Sequence, residues 1–443
     1  MAAPSRLRIA IIGGGASGAL MAAHLLRRDP RGIAVTIVER RADLGRGLAY
    51  ATDNPGHLLN VRAANMSGFA DDPDHFWRWL VAQGEVAPDA DRFRFVSRGL
   101  YGRYLGALAC GDALTVLRDT AVAATSTPPG VTISLESGGA VAADVAILAC
   151  GHETPADEGP LTLSPWTTPV GGGAPEDSTI LVLGAGLTMV DAATALAGQG
   201  HRGRIVALSR RGLTPHAHRR VEPLPIDPET APFGADLATL CHWLRERARA
   251  QAAAGGDWRS VIDGLRPHTQ TLWRRMAARD RRRFLEHARP WWDVHRHRMA
   301  PETAARLGAL IEAGQLEIVA GRLVAVAEHR DGARVSFRRR HAEAVESLVV
   351  SRILSCKGVT SAAAASPLVA SLFAQGLARM DDLGVGLDVS VDCALVARDG
   401  RPSSRLFAIG PMSQAAFWEI TAVPDIRLQT AALAARLAPA GAG

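Results

Sequence analysis

The chain has 443 residues, 47% of them hydrophobic and 21% charged. At roughly 150 residues per domain this means two or three globular domains, and it excludes wholesale disorder and collagen-like repeats. Net charge is +6, but Lys357 is the only lysine and the rest of the positive charge is arginine. Alanine and glycine are also heavily used, so the composition reads as codon bias and nucleic-acid binding is discounted. Cys110, Cys150, Cys241, Cys356 and Cys393 include no close pair. That argues against a zinc ribbon, an iron–sulfur run, a redox disulfide and a disulfide scaffold, and no metal site is expected.

Arg6 and Arg8 precede an apolar stretch, as in a signal peptide, but Gly13, Gly14 and Gly15 interrupt it. No apolar run approaches the ~18–20 residues that span a bilayer. A soluble, cytoplasmic protein without membrane partners is expected.

In chain order, residues 7–12 read as a strand, 16–28 as a helix and 33–38 as a strand ending at Glu39, a βαβ unit. Residues 45–68 are irregular, and 74–83 and 99–109 read as helices. Tyr101 and Tyr104, three apart on the second of these, are expected in the core. Short strands broken by Pro128, Pro129 and Gly130 fill 114–135, and 141–149 reads as one buried strand running to Gly151. Residues 169–178, rich in glycine and proline, read as a linker. The βαβ pattern then restarts, with strand 180–183, helix 187–197 and strand 204–208. A helical stretch dense in arginine and tryptophan covers 235–289. Helix 303–314, strands 316–326, 352–355 and 406–410, and helix 426–437 complete the reading.

The first unit carries Gly13-Gly14-Gly15-Ala16-Ser17-Gly18 between strand and helix, a G-x-G-x-x-G pattern. Gly13 permits the tight turn, Gly15 lets backbone approach a pyrophosphate, and Gly18 lets helix pack on strand. The helix N-terminus then offers free N–H groups and partial positive charge to phosphate. Glu39, 21 residues after Gly18, suits the two ribose hydroxyls of an adenosine and repels a 2′-phosphate.

The second unit reads Gly184-Ala185-Gly186-Leu187-Thr188-Met189. Met189 replaces the third glycine, so helix and strand are expected slightly further apart. Its second strand ends in Ser209-Arg210-Arg211 with no acid. Guanidinium groups there suit the 2′-phosphate of NADPH, with NADH the alternative if both arginines are merely solvated. Opposite charge at the two adenosine ends implies two different dinucleotides, an embedded FAD and a transient NADPH.

These motifs resemble the bacterial FAD-NAD(P)-binding family, two-dinucleotide-binding flavoproteins related to flavin-dependent N-monooxygenases such as L-aspartate N-monooxygenase. The resemblance is carried by Gly13 to Gly18, Gly45-Arg46-Gly47-Leu48-Ala49-Tyr50, His57-Leu58-Leu59-Asn60-Val61, Leu183 to Asp191, and Trp418 to Arg427. Asp144 to Gly151 and Leu406-Phe407-Ala408-Ile409-Gly410 match further flavoprotein habits. Pro411 departs from the acid that commonly follows that last glycine.

The resemblance implies an α/β fold with two Rossmann-like domains, an NAD(P)H domain inserted in an FAD domain, plus a helical insertion. The expected division is 1–168 for the first part of the FAD domain, 169–178 for the linker, 179–358 for the NAD(P)H domain with its helical insertion at about 235–300, and 359–443 for the return to the FAD domain. FAD is expected on Gly13, Gly15, Ala16, Ser17, Gly18, Glu39, Gly151, Gly410 and Thr421. NADPH is expected on Gly184, Gly186, Leu187, Thr188, Arg210 and Arg211.

Near the flavin ring the resemblance implies Asn60, Arg62 and Asn65; an ordinary loop asparagine is the alternative at Asn60. Glu419, with Trp418 and Thr421, precedes a helix whose N-terminus would stabilise negative charge on reduced flavin, or is a helix-entry acid only. Asn60 and Glu419 are the catalytic candidates. His216, His218, Arg219 and Arg220 form a basic loop suited to phosphate, with no ligand set for a metal. Trp291, Trp292, His295, Arg296, His297 and Arg298 read as a packing cluster or as the wall of an anionic substrate pocket.

The implied activity is a monooxygenase that uses NADPH and O2, forms a C4a-(hydro)peroxyflavin and oxygenates a small nucleophile such as an amine or amino acid. The alternatives are an NAD(P)H-flavin reductase or oxidase without oxygen transfer, a flavin-containing nucleic-acid-binding or modifying protein, and a catalytically idle dinucleotide sensor.

Overall fold

The computed structural model describes residues 6–153, 155–166, 170–358, 360–361 and 366–438. The expected boundaries near 168 and 358 touch residues 167–169 and 359, which lie outside that description, as do 362–365 and 439–443 at the chain's return. The chain divides into two compact units. One comprises Met1–Pro55, Val61–Glu153 and Thr360–Gly443, the other Gly56–Asn60 and Thr154–Val359.

In the first unit, β1 (Leu7–Ile12), α1 (Ala16–Arg28) and β2 (Ile33–Val38) form the βαβ element that the period of their apolar residues predicts. Helices α2 (His75–Ala82) and α3 (Arg98–Leu108) follow. They bury Phe76, Tyr101 and Tyr104 completely, with edge-on and tilted ring contacts. The main sheet adds β3 (Leu114–Leu117), β7 (Val145–Leu148), β17 (Ala394–Val396) and β18 (Pro402–Ala408), in the order β17-β18-β7-β1-β2-β3. All pairs are parallel except β17 with β18. Strands covered on both faces are apolar throughout, as in the fully buried Val145–Leu148.

The chain proceeds from β1 outward to β3 and then returns to the other side of β1. The sheet therefore switches direction between β1 and β7, and the ends of those two strands form the crevice where doubly wound sheets bind ligands. The last helix, Val423–Leu437, packs against α1.

The single strand expected over 141–149 is two. β6 (Ala140–Ala143) pairs antiparallel with β5 (Gly130–Leu135), which pairs with β4 (Ala121–Thr127) in a separate three-stranded sheet. The break falls at Asp144, whose carboxylate accepts the Arg8 backbone N–H at 2.8 Å and the Arg8 Nη2 group at 2.7 Å. Burial alternates along β6 and is continuous along β7, so one run of small apolar residues serves two environments.

The second unit repeats the architecture with β10 (Ile180–Leu183), α4 (Leu187–Gly198) and β11 (Ile205–Ser209). The helical stretch expected over 235–289 is a series of helices from α5 (Leu237–Ala253) to α9 (Arg289–Arg296). Asp236 caps α5 and Asp257 caps α6 (Trp258–Leu265), while Gly255, at φ 75°, ends the turn between them. Then come α10 (Pro301–Glu312) and β12 (Leu316–His329). β13 (Gly332–Arg339) and β14 (Val345–Val350), which the sequence reading missed, precede β15 (Arg352–Ser355).

With the short β9 (Thr162–Leu163), the order is β14-β13-β12-β11-β10-β15-β9. Ile180 and Val182 pack with Met189 and Leu307 on one face. Leu181 and Leu183 pack with Val335 and Phe337 on the other. The arginine-rich β13 hides its apolar face in alternation, which is why it reads as polar in sequence. Among the described residues no helix is long and apolar enough to cross a membrane.

His24, 9% exposed on α1, packs edge-on against Phe69. Burial pushes its pKa down to about 4 from the usual 6.5. The folded state resists protonation that the unfolded chain accepts, so His24's contribution to stability is complete above pH 6.5 and is lost as pH falls through about 4. The span corresponds to roughly 3 kcal/mol. His24→Leu should therefore flatten the acid limb of stability measured by urea unfolding between pH 6.5 and 4; an unchanged slope refutes it.

Candidate functional site

The first glycine turn sits at the switch point of the first unit. Gly13 has φ 103°, and a Cβ there would lie 2.6 Å from the Ala149 carbonyl oxygen. Gly18 is more constrained: its Cβ would come within 1.9 Å of the Gly13 carbonyl oxygen. Gly15 differs from both. It ends in extended backbone at φ −69°, ψ −163°, and its Cβ would meet only Gly47, at 3.4 Å. Gly15 and Gly47 thus approach backbone to backbone, and a Cβ at Gly47 would come within 3.1 Å of Gly15 Cα. Gly15 is also the N-cap of α1 and supplies no side-chain cap, so the helix presents its first N–H groups, from Ala16, Ser17 and Gly18, uncapped by any side chain.

Glu39 is buried at the end of β2. Its Oε2 accepts the Gly14 N–H at 2.7 Å and its Oε1 accepts the Arg41 N–H at 2.8 Å. Each carboxylate oxygen keeps a further lone pair for a hydroxyl donor. Gly45 N–H donates to the Gly14 carbonyl at 2.7 Å, which lays the Gly45–Tyr50 loop against the turn.

Gly410, past the end of β18, lies against the same helix start. Its φ is 59°, and a Cβ would fall 2.2 Å from Ser17 Oγ. Its N–H donates to Gln429 Oε1 at 2.8 Å, Gln429 Nε2 donates to Ser413 Oγ at 2.9 Å, and Ser413 Oγ donates to the Gly410 carbonyl at 2.8 Å. This buried ring holds the turn that Pro411 leaves without a carboxylate. Sequence reading missed Ser413 and Gln429, because a lone glutamine on an amphipathic helix carries no signal until its partner is known.

Gly151 has φ 71° with nothing within 4 Å of a Cβ. Glu419 is buried at φ 64°, a conformation costly for a residue with a side chain. Its carbonyl accepts the N–H of Thr421, which is exposed just before the last helix. Arg62 lies over the Phe95 ring, and Asn65 ends a short 3₁₀ turn. Asn60 belongs to the second unit, where its carbonyl accepts from His218 Nε2 at 2.8 Å.

In the second unit Gly184 has φ 122°, and its Cβ would lie 2.3 Å from the Cys356 carbonyl oxygen. Gly186 caps α4 with no side chain and has nothing within 4 Å of a Cβ; Leu187 and Thr188 form the first turn. Met189 is wholly buried in the core between helix and sheet. Arg210 is exposed and makes no hydrogen bond or ion pair among the described residues. Arg211 instead donates from Nη1 to the His287 carbonyl at 3.0 Å, tying the strand end to the helical insertion.

His216, His295 and Trp258 meet edge-on or tilted at 4.7–5.2 Å between ring centres, with Arg259 over Trp258. Arg298, almost wholly buried, pairs with Asp263. No cluster of three or more metal-ligating side chains occurs among the described residues.

The residues present fit two dinucleotides: two uncapped helix starts opened by glycines, a buried acid beside one and an exposed arginine beside the other. Residues 10–153 match the family described as FAD-NAD(P)-binding. No curated protein matches the chain. Among solved structures, the chain is similar to L-lysine 6-monooxygenase from Pseudomonas syringae, at 17% identity and TM-score 0.69 over 98% of this chain and 99% of that one. It is also similar to the ornithine N-hydroxylase of Kutzneria sp. 744, described with reduced FAD, NADP+ and L-ornithine, at 14% identity and TM-score 0.65 over 98% and 99%. A thioredoxin reductase from T. acidophilum matches at 10% identity and TM-score 0.54 over 97% of both chains. The fold is that of the two-dinucleotide-binding flavoproteins, with two Rossmann-type domains, as the sequence predicts.

Proposed function

We propose that this chain is an FAD-dependent, NADPH-consuming monooxygenase that transfers one oxygen atom of O2 to the nitrogen of a small amine or amino acid. The observation that carries the reading is the contrast between the two strand ends: buried Glu39 beside the first glycine turn and exposed Arg210 beside the second. A carboxylate accepts ribose hydroxyls and repels a 2′-phosphate, whereas a guanidinium binds one. The full-length likeness to lysine and ornithine N-hydroxylases supports oxygen transfer as the outcome.

FAD, when bound, supplies the hydride acceptor and the site of O2 reduction. The chain's own residues hold and orient. Ala16, Ser17 and Gly18 direct backbone N–H groups at the FAD pyrophosphate, and Glu39 takes the adenosine ribose. Leu187 and Thr188 present the start of α4 to the NADPH pyrophosphate, while Arg210 takes its 2′-phosphate. On the family resemblance, Asn60 in the second unit and Glu419 in the first are kept as the candidate catalytic residues. In the balance, NADPH gives two electrons, one oxygen atom joins the substrate nitrogen and the other leaves as water.

A reductase of the disulfide type is disfavoured by the cysteines. Burial pushes the Cys150, Cys356 and Cys393 thiols up to about 12, so they are not thiolates at neutral pH. The test is turnover of the FAD-loaded protein with NADPH under 18O2 across a panel of amines and amino acids. One labelled oxygen atom in an N-hydroxylated product, with one NADPH consumed per product, is expected. NADPH oxidation that yields only hydrogen peroxide with every substrate overturns oxygen transfer and leaves an oxidase.

A further inference from the structure

The second unit's sheet also switches direction, between β10 and β15. The chain runs from β10 to β11 and β12 on one side, and β15 returns on the other side of β10. Leu183 and Ser355 are paired in register, so the glycine turn and the Cys356-Lys357 segment leave the sheet side by side. The 2.3 Å approach of a Gly184 Cβ to the Cys356 carbonyl oxygen shows how closely they pass. The only lysine of a chain otherwise supplied with arginine therefore stands one residue beyond that contact, at the crevice where doubly wound sheets take their ligands.

Lys357 Nζ is bound to Glu158, at 2.7 Å from Oε1 and 2.9 Å from Oε2, and Ser355 Oγ donates to Glu158 Oε1 at 2.9 Å. The Lys357 and Glu158 side chains are 53% and 50% exposed. A pair so exposed holds its partners weakly and exchanges readily. An ammonium on a four-carbon stem is a mobile point charge suited to a diphosphate, where a planar guanidinium would demand one geometry.

We propose that Lys357 binds the pyrophosphate of the dinucleotide in this unit, and that Glu158 is its resting partner, released when the dinucleotide arrives. The inference rests on the second unit being a dinucleotide site, as proposed above. It assigns division of labour: Arg210 distinguishes NADPH from NADH, whereas Lys357 acts on the diphosphate that both share.

The experiment titrates FAD-loaded wild type, Lys357→Ala, Lys357→Arg and Glu158→Gln with NADP+ and with NAD+, by calorimetry. Lys357→Ala should weaken both dinucleotides by the same factor, about tenfold or more, and Lys357→Arg, which keeps the charge but not the geometry, should recover only part of that loss. Glu158→Gln should tighten both, by about two- to fivefold, because the competing carboxylate is gone. Opposite signs for the two substitutions are the signature, since a clasp that merely supports the fold loses affinity when either partner is removed. Because Lys357 is the only lysine, amine acylation read by peptide mapping reports on it alone among side chains, and NADP+ should protect it. Equal losses in Lys357→Ala and Glu158→Gln, or unprotected acylation at saturating NADP+, overturn the proposal. If wild type binds neither dinucleotide, the two-dinucleotide reading itself fails.

Discussion

Gly15→Val is expected to give a folded protein that purifies without flavin. The backbone at Gly15 is extended, a conformation valine adopts without strain, and the nearest atom to a Cβ is Gly47 Cα at 3.4 Å. A Cβ at this position is at ordinary contact distance, so the fold is expected to tolerate the substitution. The FAD pyrophosphate is not, because the side chain would stand at the uncapped start of α1 where the pyrophosphate would be held. Losing charge-assisted hydrogen bonds to the diphosphate lowers affinity by about tenfold or more for each one lost.

Gly18→Ala supplies the contrast. Its Cβ would lie 1.9 Å from the Gly13 carbonyl, a backbone atom that cannot move without displacing β1 from α1. That substitution should lower stability by about 1–3 kcal/mol or more and lose flavin as a consequence. Absorbance at flavin wavelengths and thermal unfolding of both variants separate the two effects. Full flavin occupancy in Gly15→Val would refute the assignment of this turn to FAD.

Arg210→Ala is expected to raise KM for NADPH by about tenfold to a hundredfold while leaving KM for NADH unchanged. Arg210 is exposed and makes no hydrogen bond or ion pair among the described residues, so its removal disturbs no fold contact. Arg211→Ala should behave differently. It breaks the hydrogen bond to the His287 carbonyl and loosens the helical insertion, so it should act on both cofactors alike. Steady-state kinetics with each nucleotide checks the pair. Equal effects of Arg210→Ala on NADPH and NADH would show that the 2′-phosphate is read elsewhere.

The asymmetry between these neighbouring arginines marks where sequence reading ends. Both stand after a second βαβ unit with no acid, and sequence chemistry treats them identically. Only the folded chain brings His287 of the distant helical insertion to one of them. The same holds at Gly410, whose turn is held by Gln429 and Ser413, residues 19 and 3 positions along the chain. It holds again at Asn60, which clusters with the second unit although it follows the first βαβ unit in sequence.

The sequence by itself determined the two βαβ units, the positions of both glycine turns and the acid at Glu39. Each of these is local: period, turn chemistry and strand ends act over a few residues, and the backbone sterics behind them do not depend on distant partners. The tertiary structure alone decided the division of 140–148 between two sheets, the β13–β14 hairpin covering the second core, the engagement of Arg211 and the clasp of Lys357 by Glu158. Those features depend on which remote surfaces meet. A short apolar run or a single charged side chain fits several environments equally well, and only packing selects among them.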